Sequence, residues 1–503
     1  MDPALVPFTV ALVVYVLVVL TVGLLATRRA ASSAEEYFLA GRGLGTAVLF
    51  MALFGTNCTA FVLVGVPGQA YHDGVGVFGV NAPIVALGIP LTFWAIGSPA
   101  RRMARRLGAL TPAELYARRF GSRGLGRLLF TVFTLYTLPY MVTAVDGAAK
   151  TLASVTDGAV GESVGGLSVL AVALLYTSLG GMRATAWTNV VQGVLFMAFM
   201  LVACIWIPRS MGGLTVAMEK VRAHDENLLI VHGGGLFAPR AWTSWGLAIS
   251  LTVIAFPHML VRIFTARSEE SLKRVCRLYP IALVLLWLPA VMIGVWGAAE
   301  FPGLEGRASD RVFSLMITEH LPAWVAACGF LAVLAAVMST LDGQLLTLGS
   351  MLSRDVMKER GTGSEHPTGA DSTGDRLGVT SGRVFGVVVA LVVYVLWRAA
   401  AHSIFQVASV AFSGYVTLAP TLFFGVRWRR FTIAGATASI LLGNAVYFLC
   451  LYQGGGMGAA MRPSWLGFLP VFWGFVAAVV AGVAGSLLSA PGDLQRQRAA
   501  FGD

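Results

Sequence analysis

The chain has 503 residues, 57% of them hydrophobic and 12% charged, with a mean hydropathy of +0.76 and a formal charge of +11. Soluble globular proteins carry roughly 25% charged residues, so there is too little charge here for a water-facing surface, and the three or so soluble domains suggested by length are excluded. The positive charge sits in short loops between apolar runs, where it sets membrane topology, and this excludes a nucleic-acid partner.

Apolar runs of about 20 residues recur along the whole chain, the length an α-helix needs to cross a bilayer. They predict an all-α, polytopic membrane protein with about thirteen spans, at 6–27, 45–66, 76–99, 126–154, 164–180, 184–208, 241–265, 278–300, 321–352, 382–398, 403–426, 431–452 and 464–488. The first run is too long for a signal-peptide core and no basic residue precedes it, so it is a membrane span. Of the 36 Lys and Arg residues, 27 fall in the loops of one side. By the positive-inside rule the N-terminus is outside and the C-terminus cytoplasmic. Arg outnumbers Lys, and Ala and Gly abound, a composition that points to a bacterial source and an inner-membrane location. Cys58, Cys204, Cys276, Cys328 and Cys450 are odd in number and scattered, with neither a disulfide framework nor zinc-ligand spacing.

Taken in order, the second span carries LFGTNCTAF (53–61), which sets Gly55, Thr56, Asn57 and Thr59 at membrane depth. The fourth carries Tyr136, Tyr140, and Asp146 and Lys150 at i, i+4, a spacing that pairs them near its outer end. The loop 209–240 faces outward and contains an amphipathic stretch, Leu214–Val221. The seventh span carries IAFPHMLVR (254–262), with Pro257 and His258 inside it and Arg262 placed to snorkel to the inner interface. The ninth contains AAVMST (335–340), and the inward loop 355–381, rich in Gly, Ser, Thr and charge, reads as a flexible linker.

The interruptions in spans two and seven free backbone groups that lipid cannot satisfy. Each alone has an ordinary explanation, a glycine packing contact or a proline kink. Being five spans apart, they point instead to two inverted repeats, spans two to six (45–208) and seven to eleven (241–426), around a midplane site. Residues 1–44 would then add a helix and the first inner loop before the repeats, and 427–503 two spans and a tail after them.

On a helix Ala336, Ser339 and Thr340 share one face, so a carbonyl and two hydroxyls converge within a turn. Neutral oxygens suit a weakly held monovalent cation, and the break in span two can add the carbonyls of Gly55 and Cys58. The alternative is that Ser339 and Thr340 only hydrogen-bond the Ala335 and Ala336 carbonyls of their own helix.

EEYFLAGRGLG (35–45), LVGVPGQAYHDG (63–74), GGMRATAWTNVVQG (180–193), FPHMLVRIFTARS (256–268), LAAVMSTLDGQLLTLGSMLSRD (334–355) and AFSGYVTLAP (411–420) together resemble the sodium/solute symporter family, in the family's order and over nearly the whole chain. The resemblance implies a leucine-transporter-type fold with a five-plus-five core and Na⁺ as coupling ion, held at Gly55, Cys58, Ala336, Ser339 and Thr340. Asn189 departs from the family's usual Asp, as Asn57 does from some relatives. Proton coupling is therefore the alternative, with Asp342 and Asp146 as the main intramembrane carboxylates, and Asn189 and Asp342 are candidates for the ion route.

By that fold, solute lies beside both breaks, among Asn57, Thr59, Phe61, Val62, Tyr136, Tyr140, Phe256 and His258. Phe61 and Val62 stand where sugar-carrying relatives offer polar side chains, which disfavours a sugar. A small monocarboxylate or an amino acid such as proline fits better. No HExxH, GxSxG with partners or Walker sequence suggests an enzyme, and the tail after the last span is too short for the signalling domain of a fused sensor. A non-transporting sensor and a channel remain as rival classes. The expected partners are Na⁺, a small solute and the bilayer, with no organic cofactor and no obligatory protein partner.

Overall fold

The computed structural model describes residues 5–27, 34–156, 158–231, 233–357, 372–399 and 403–502. Among them the architecture is all-α, with a single isolated β-bridge between Leu44 and Ala266. The principal helices are α1 (Leu5–Thr27), α2 (Thr46–Asn57), α3 (Val66–Asp73), α4 (Gly76–Thr92), α5 (Arg123–Val155), α6 (Glu162–Ser210), α7 (Pro239–Ala255) and α8 (Pro257–Phe264). They continue with α9 (Glu269–Glu300), α10 (Ala323–Met351), α11 (Ser372–Ala399), α12 (Ile404–Val416), α13 (Ala419–Arg427), α14 (Ile433–Gln453) and α15 (Pro470–Leu488).

Among the described residues ten helices are long and apolar enough to cross a membrane, or twelve if each of two bent pairs counts as one span. The expected span at 164–180 falls on a shorter apolar helix, Glu162–Leu175, at the start of α6. Spans five and six are not separated by a loop. They run together through α6, which is bent at Gly181, where φ +59° and ψ −169° depart from helical values.

Burial ranks the helices. In α10, 89% of the apolar window is buried, against 17% in α1. The first is thus a central post, packed on α1, α5, α6, α8 and α11, while α1 lies on the periphery and presents Val10, Val14 and Leu17 outward.

The two predicted interruptions are real breaks of nearly equal angle. Helix α2 ends at Cys58, and after a π-helical turn (Phe61–Gly65) the chain resumes as α3, bent by 53°. Thr59 starts the new segment, its hydroxyl accepting from Phe61 N–H at 3.0 Å and its carbonyl from Val62 N–H at 3.0 Å. Helices α7 and α8 meet at 52°. Pro257 has no N–H to continue α7 and its fixed φ suits the first turn of α8. Its ring drives the preceding residue out of the helical region, and Phe256 adopts φ −64°, ψ 122°.

Two loop readings change. The amphipathic stretch of the outer loop extends to a helix, Leu214–His224, seated through Ala217 and Val221. The predicted linker 355–381 is helical at both ends, in a π-helical turn over Leu352–Met357 and in α11 from Ser372. Backbone contact between Gly349 and Gly382 lets α10 and α11 approach closely there. Residues 358–371, the middle of that linker, lie outside the described residues.

Candidate cation and solute site

The break in α2 abuts the middle of α10. The Ser339 hydroxyl donates toward the Gly55 carbonyl at 2.8 Å and the Ala336 carbonyl at 2.7 Å. The Thr340 hydroxyl lies 3.1 Å from both the Thr56 and Ala336 carbonyls. Five uncharged oxygens therefore meet: the carbonyls of Gly55, Thr56 and Ala336 and the two hydroxyls. Gly55, Ala336, Ser339 and Thr340 are brought together as expected, and Thr56 joins them. The break makes its carbonyl available, which its place in the sequence did not signal. Cys58 is buried where α2 stops, with its N–H on Phe54 O at 3.0 Å, and neither hydroxyl reaches it. The back-bonding alternative is partly realised, since both hydroxyls touch Ala336 within their own helix, yet both also reach across to another. Ser339, Thr340 and Thr56 are 0% exposed, so these oxygens lie in a medium where an ion would have to exchange water for them. Among the described residues no group of three or more His, Cys, Asp or Glu side chains is placed to hold a metal ion together.

Beneath this set lies a charged one. Arg262 does not snorkel. Its guanidinium stands 3.2 Å from Asp342 Oδ1, with both side chains 0% exposed. The short helix α8 aims it inward against α10, where a carboxylate meets it. The Asn189 amide orients so that its oxygen accepts from the two terminal Arg262 nitrogens at 3.0 and 3.2 Å and meets the Thr56 hydroxyl at 2.9 Å. Its nitrogen then donates to Thr185 O at 3.0 Å and Gln192 Oε1 at 2.9 Å. Both ion-route candidates, Asn189 and Asp342, thus share one buried network that touches the oxygen set through Thr56.

On the other side of the breaks is an aromatic cluster. Tyr140 stacks on Phe256 at 4.9 Å, and Phe256 stacks on His258 at 5.1 Å. Phe61 packs on Phe405 at 5.1 Å and Phe412 at 5.0 Å. Phe412 joins the two halves, meeting Tyr140 at 5.2 Å and Phe256 at 5.7 Å. The Tyr279 hydroxyl, behind the break, points to the Leu53 carbonyl at 3.5 Å, and Asn57 is half-buried at the end of α2. Both ring nitrogens of His258 are buried without a hydrogen-bond partner, as is the indole nitrogen of Trp287, whose ring lies 6.2 Å from Phe61.

Seven of the eight predicted solute residues thus lie at or beside the breaks, Val62 being buried in the same π-helical turn as Phe61. Tyr136 reaches the cluster only through Tyr415, 5.7 Å away, which packs edge-on against Phe256 at 4.9 Å; it is wedged against Gly414, with its hydroxyl bonded to Asn444 on α14. Phe405, Phe412, Tyr415 and Trp287 were missed. Two of them lie in the AFSGYV stretch, but which face of α12 meets the breaks is a matter of packing between distant segments.

At the far end of α5, Asp146 and Lys150 pair at 2.7 Å as expected. Lys150 also holds Asp310 at 2.7 Å, and Asp146 accepts from Arg307 at 2.7 Å and from the Trp397 indole at 2.9 Å. Burial pushes the Asp310 carboxyl up from its ordinary value, against the pull of the Lys150 ammonium. The cluster pins the loop Gly306–Arg311 over α3 and the start of α12, through Gly68 and the Ile404 N–H.

A family model described as the sodium:solute symporter family matches residues 37–443. The sodium/proline symporter of Escherichia coli (strain K12) is 28% identical over 99% of the chain and 96% of its own length. The sodium/pantothenate symporter of the same organism is 27% identical over 94% of the chain and 95% of its own. Among solved structures, a substrate-bound, outward-open Na⁺-coupled sialic acid symporter superposes with a TM-score of 0.76 at 16% identity, covering 97% of this chain and 99% of that one. At that identity the likeness speaks for the fold.

Proposed function

The chain belongs to the sodium:solute symporter family, and on that premise we propose that it is a secondary transporter that carries a small organic solute inward with Na⁺ by alternating access. The observation that carries this reading is the contact of two α10 hydroxyls with the carbonyls at the break of α2. Without an ion, Ser339 and Thr340 spend their hydrogens on those carbonyls. When Na⁺ enters, the hydroxyls rotate, and their lone pairs and the Gly55, Thr56 and Ala336 carbonyls turn to the ion. One ion thus ties the broken span to the central post.

Coupling follows from the chain itself. Asn57, Thr59 and Phe61 continue directly from the carbonyls that hold the ion, so fixing the break fixes one wall of the aromatic cluster. By linkage, a solute that needs that wall in place raises the affinity for Na⁺ by the factor that Na⁺ raises its own. Apolar walls with few polar groups suit a small solute with one charged end. We assign it as a small monocarboxylate or an amino acid such as proline. The proline and pantothenate symporters among its relatives, both at under 30% identity, support this class without choosing within it. The two breaks of similar angle support the five-plus-five repeat, and the charge bias supports a cytoplasmic C-terminus.

The test is uptake of labelled proline into proteoliposomes against a Na⁺ titration at two pH values, with choline as replacement. Ser339→Ala and Thr340→Val each remove one ion oxygen at nearly constant volume. A ligand to a charge is worth about 1.5–3 kcal/mol, so each variant should shift the Na⁺ curve about ten- to a hundredfold, with solute affinity recovered at high Na⁺. An unshifted curve in the double variant discards the ion site. Uptake that follows pH in place of Na⁺ identifies a proton-coupled carrier, and a protein without uphill uptake of any solute is a sensor or a channel.

A further inference from the structure

Directly below the five oxygens lies a second polar set that already holds a positive charge. Asp342 stands three residues past Ser339 on α10, about 4.5 Å further along the helix. Its carboxylate meets the Arg262 guanidinium at 3.2 Å. The Asn189 amide oxygen accepts from the same guanidinium at 3.0 and 3.2 Å. The Thr56 hydroxyl bonds that amide at 2.9 Å and lies 3.2 Å from the Ser339 carbonyl. Gly343 leaves the guanidinium its room, since a Cβ there would stand 3.0 Å from Arg262 Nη2. Without the guanidinium, a carboxylate, an amide oxygen and a hydroxyl would face one another away from water. Those are oxygens a hard cation takes, and a carboxylate left alone at that depth is costly.

An arginine side chain does not deprotonate in proteins, so its charge is permanent. Two cations a helical turn apart repel strongly where the dielectric is low. We propose that Arg262 is a tethered cation that fills this lower position, so that one free Na⁺ and not two binds per chain. The proposal rests on the reading of Gly55, Ser339 and Thr340 as the ion site. It gives the buried pair a role in ion stoichiometry: Asp342 supplies an ion's counter-charge, and the chain brings its own ion to it.

The experiment is equilibrium binding of radiolabelled Na⁺ to the purified full-length protein in lipid nanodiscs. The unaltered chain should saturate at one ion. Arg262→Met should saturate at two, and Arg262→Met combined with Asp342→Asn should return to one. Two ions on the unaltered chain overturn the proposal, and so does a single ion on Arg262→Met. That variant strips a buried carboxylate of its partner, so its folding is followed in parallel. Na⁺, and not choline, should raise its Tm more than that of the unaltered chain, because an added site stabilises by mass action. An equal rise in both also counts against the added site. Should Arg262→Met not fold at any Na⁺ concentration, the count on the unaltered chain decides, together with Arg262→Lys, which keeps the charge and should bind one ion. Ser339→Ala separates this idea from the ion site beneath it. If the single ion of the unaltered chain survives that change with unaltered affinity, the assignment of the ion site fails, whatever Arg262 does.

Discussion

His258 is the side chain with most unused capacity in the solute region. It is 1% exposed, stacked on Phe256 with Tyr140 at 6.3 Å, and both its nitrogens lack a hydrogen-bond partner. Leaving a buried polar group unsatisfied costs roughly 1–3 kcal/mol, which a solute carboxylate or hydroxyl can recover by bonding it. His258→Ala should therefore weaken solute affinity about ten- to a hundredfold, the worth of a hydrogen bond to a charged group, while shifting the Na⁺ midpoint of ion binding little. Isothermal titration with proline, beside a Na⁺ titration without solute, checks this. Unchanged solute affinity and selectivity would move the site away from Pro257. Tyr136 shows the limit of reading contacts from position alone. It shares a helix with Tyr140, yet its hydroxyl turns to Asn444 and its ring to Gly414, and it touches the cluster around Phe256 only through Tyr415.

At the scale of helices, function depends on where regular structure stops. Pro257 has no N–H with which to continue α7, and Thr59 supplies a cap after α2, so each break is stabilised locally, and at the first the Gly55 and Thr56 carbonyls meet α10. A third irregularity, at Gly181, joins the short apolar start of α6 to its long continuation. Its φ of +59° with ψ −169° belongs to a region open essentially to glycine, and a Cβ there would stand 2.9 Å from the Tyr37 carbonyl. Gly181→Ala should cost about 1–3 kcal/mol from backbone strain, with more from the clash. Thermal unfolding in detergent should show a lowered Tm, and Gly→Ala at half-buried Gly79, where a Cβ meets nothing within 4 Å, should not. Equal Tm values for the two variants would mean that the bend at Gly181 relaxes freely.

At the scale of the whole molecule, the arrangement is closed at the centre. The loop Gly306–Arg311 is pinned at one end by Lys150 and Asp146, and the Arg262–Asp342 pair lies beside the Ser339 and Thr340 hydroxyls towards the other. Transport requires these closures to open alternately, and the side each faces follows from topology. With 27 of 36 basic residues on one side, the loop between α10 and α11 should be cytoplasmic. Ser364, which lies outside the described residues, is a suitable probe. In a background without the five native cysteines, Ser364→Cys should resist an impermeant maleimide added to intact cells and react after permeabilisation. Robust labelling from outside would invert the topology.

The sequence by itself determined the membrane class, the position of most apolar runs, the two breaks and the shared face of Ala336, Ser339 and Thr340 on α10. All of these rest on local properties: apolar run length, a proline, and the i, i+3, i+4 geometry of one helix. It also carried the family resemblance, because six stretches keep their order along the chain. Tertiary structure alone decided which partners those residues meet. Thr56 joins the ion oxygens only because α2 breaks beside α10. Arg262 turns inward because Asp342, 80 residues away in sequence, offers a carboxylate where lipid offers nothing. Phe412 bridges the two breaks because α12 packs against both. A side chain's periodicity gives its face, but what stands opposite that face is set by how distant helices pack, and no local pattern encodes it.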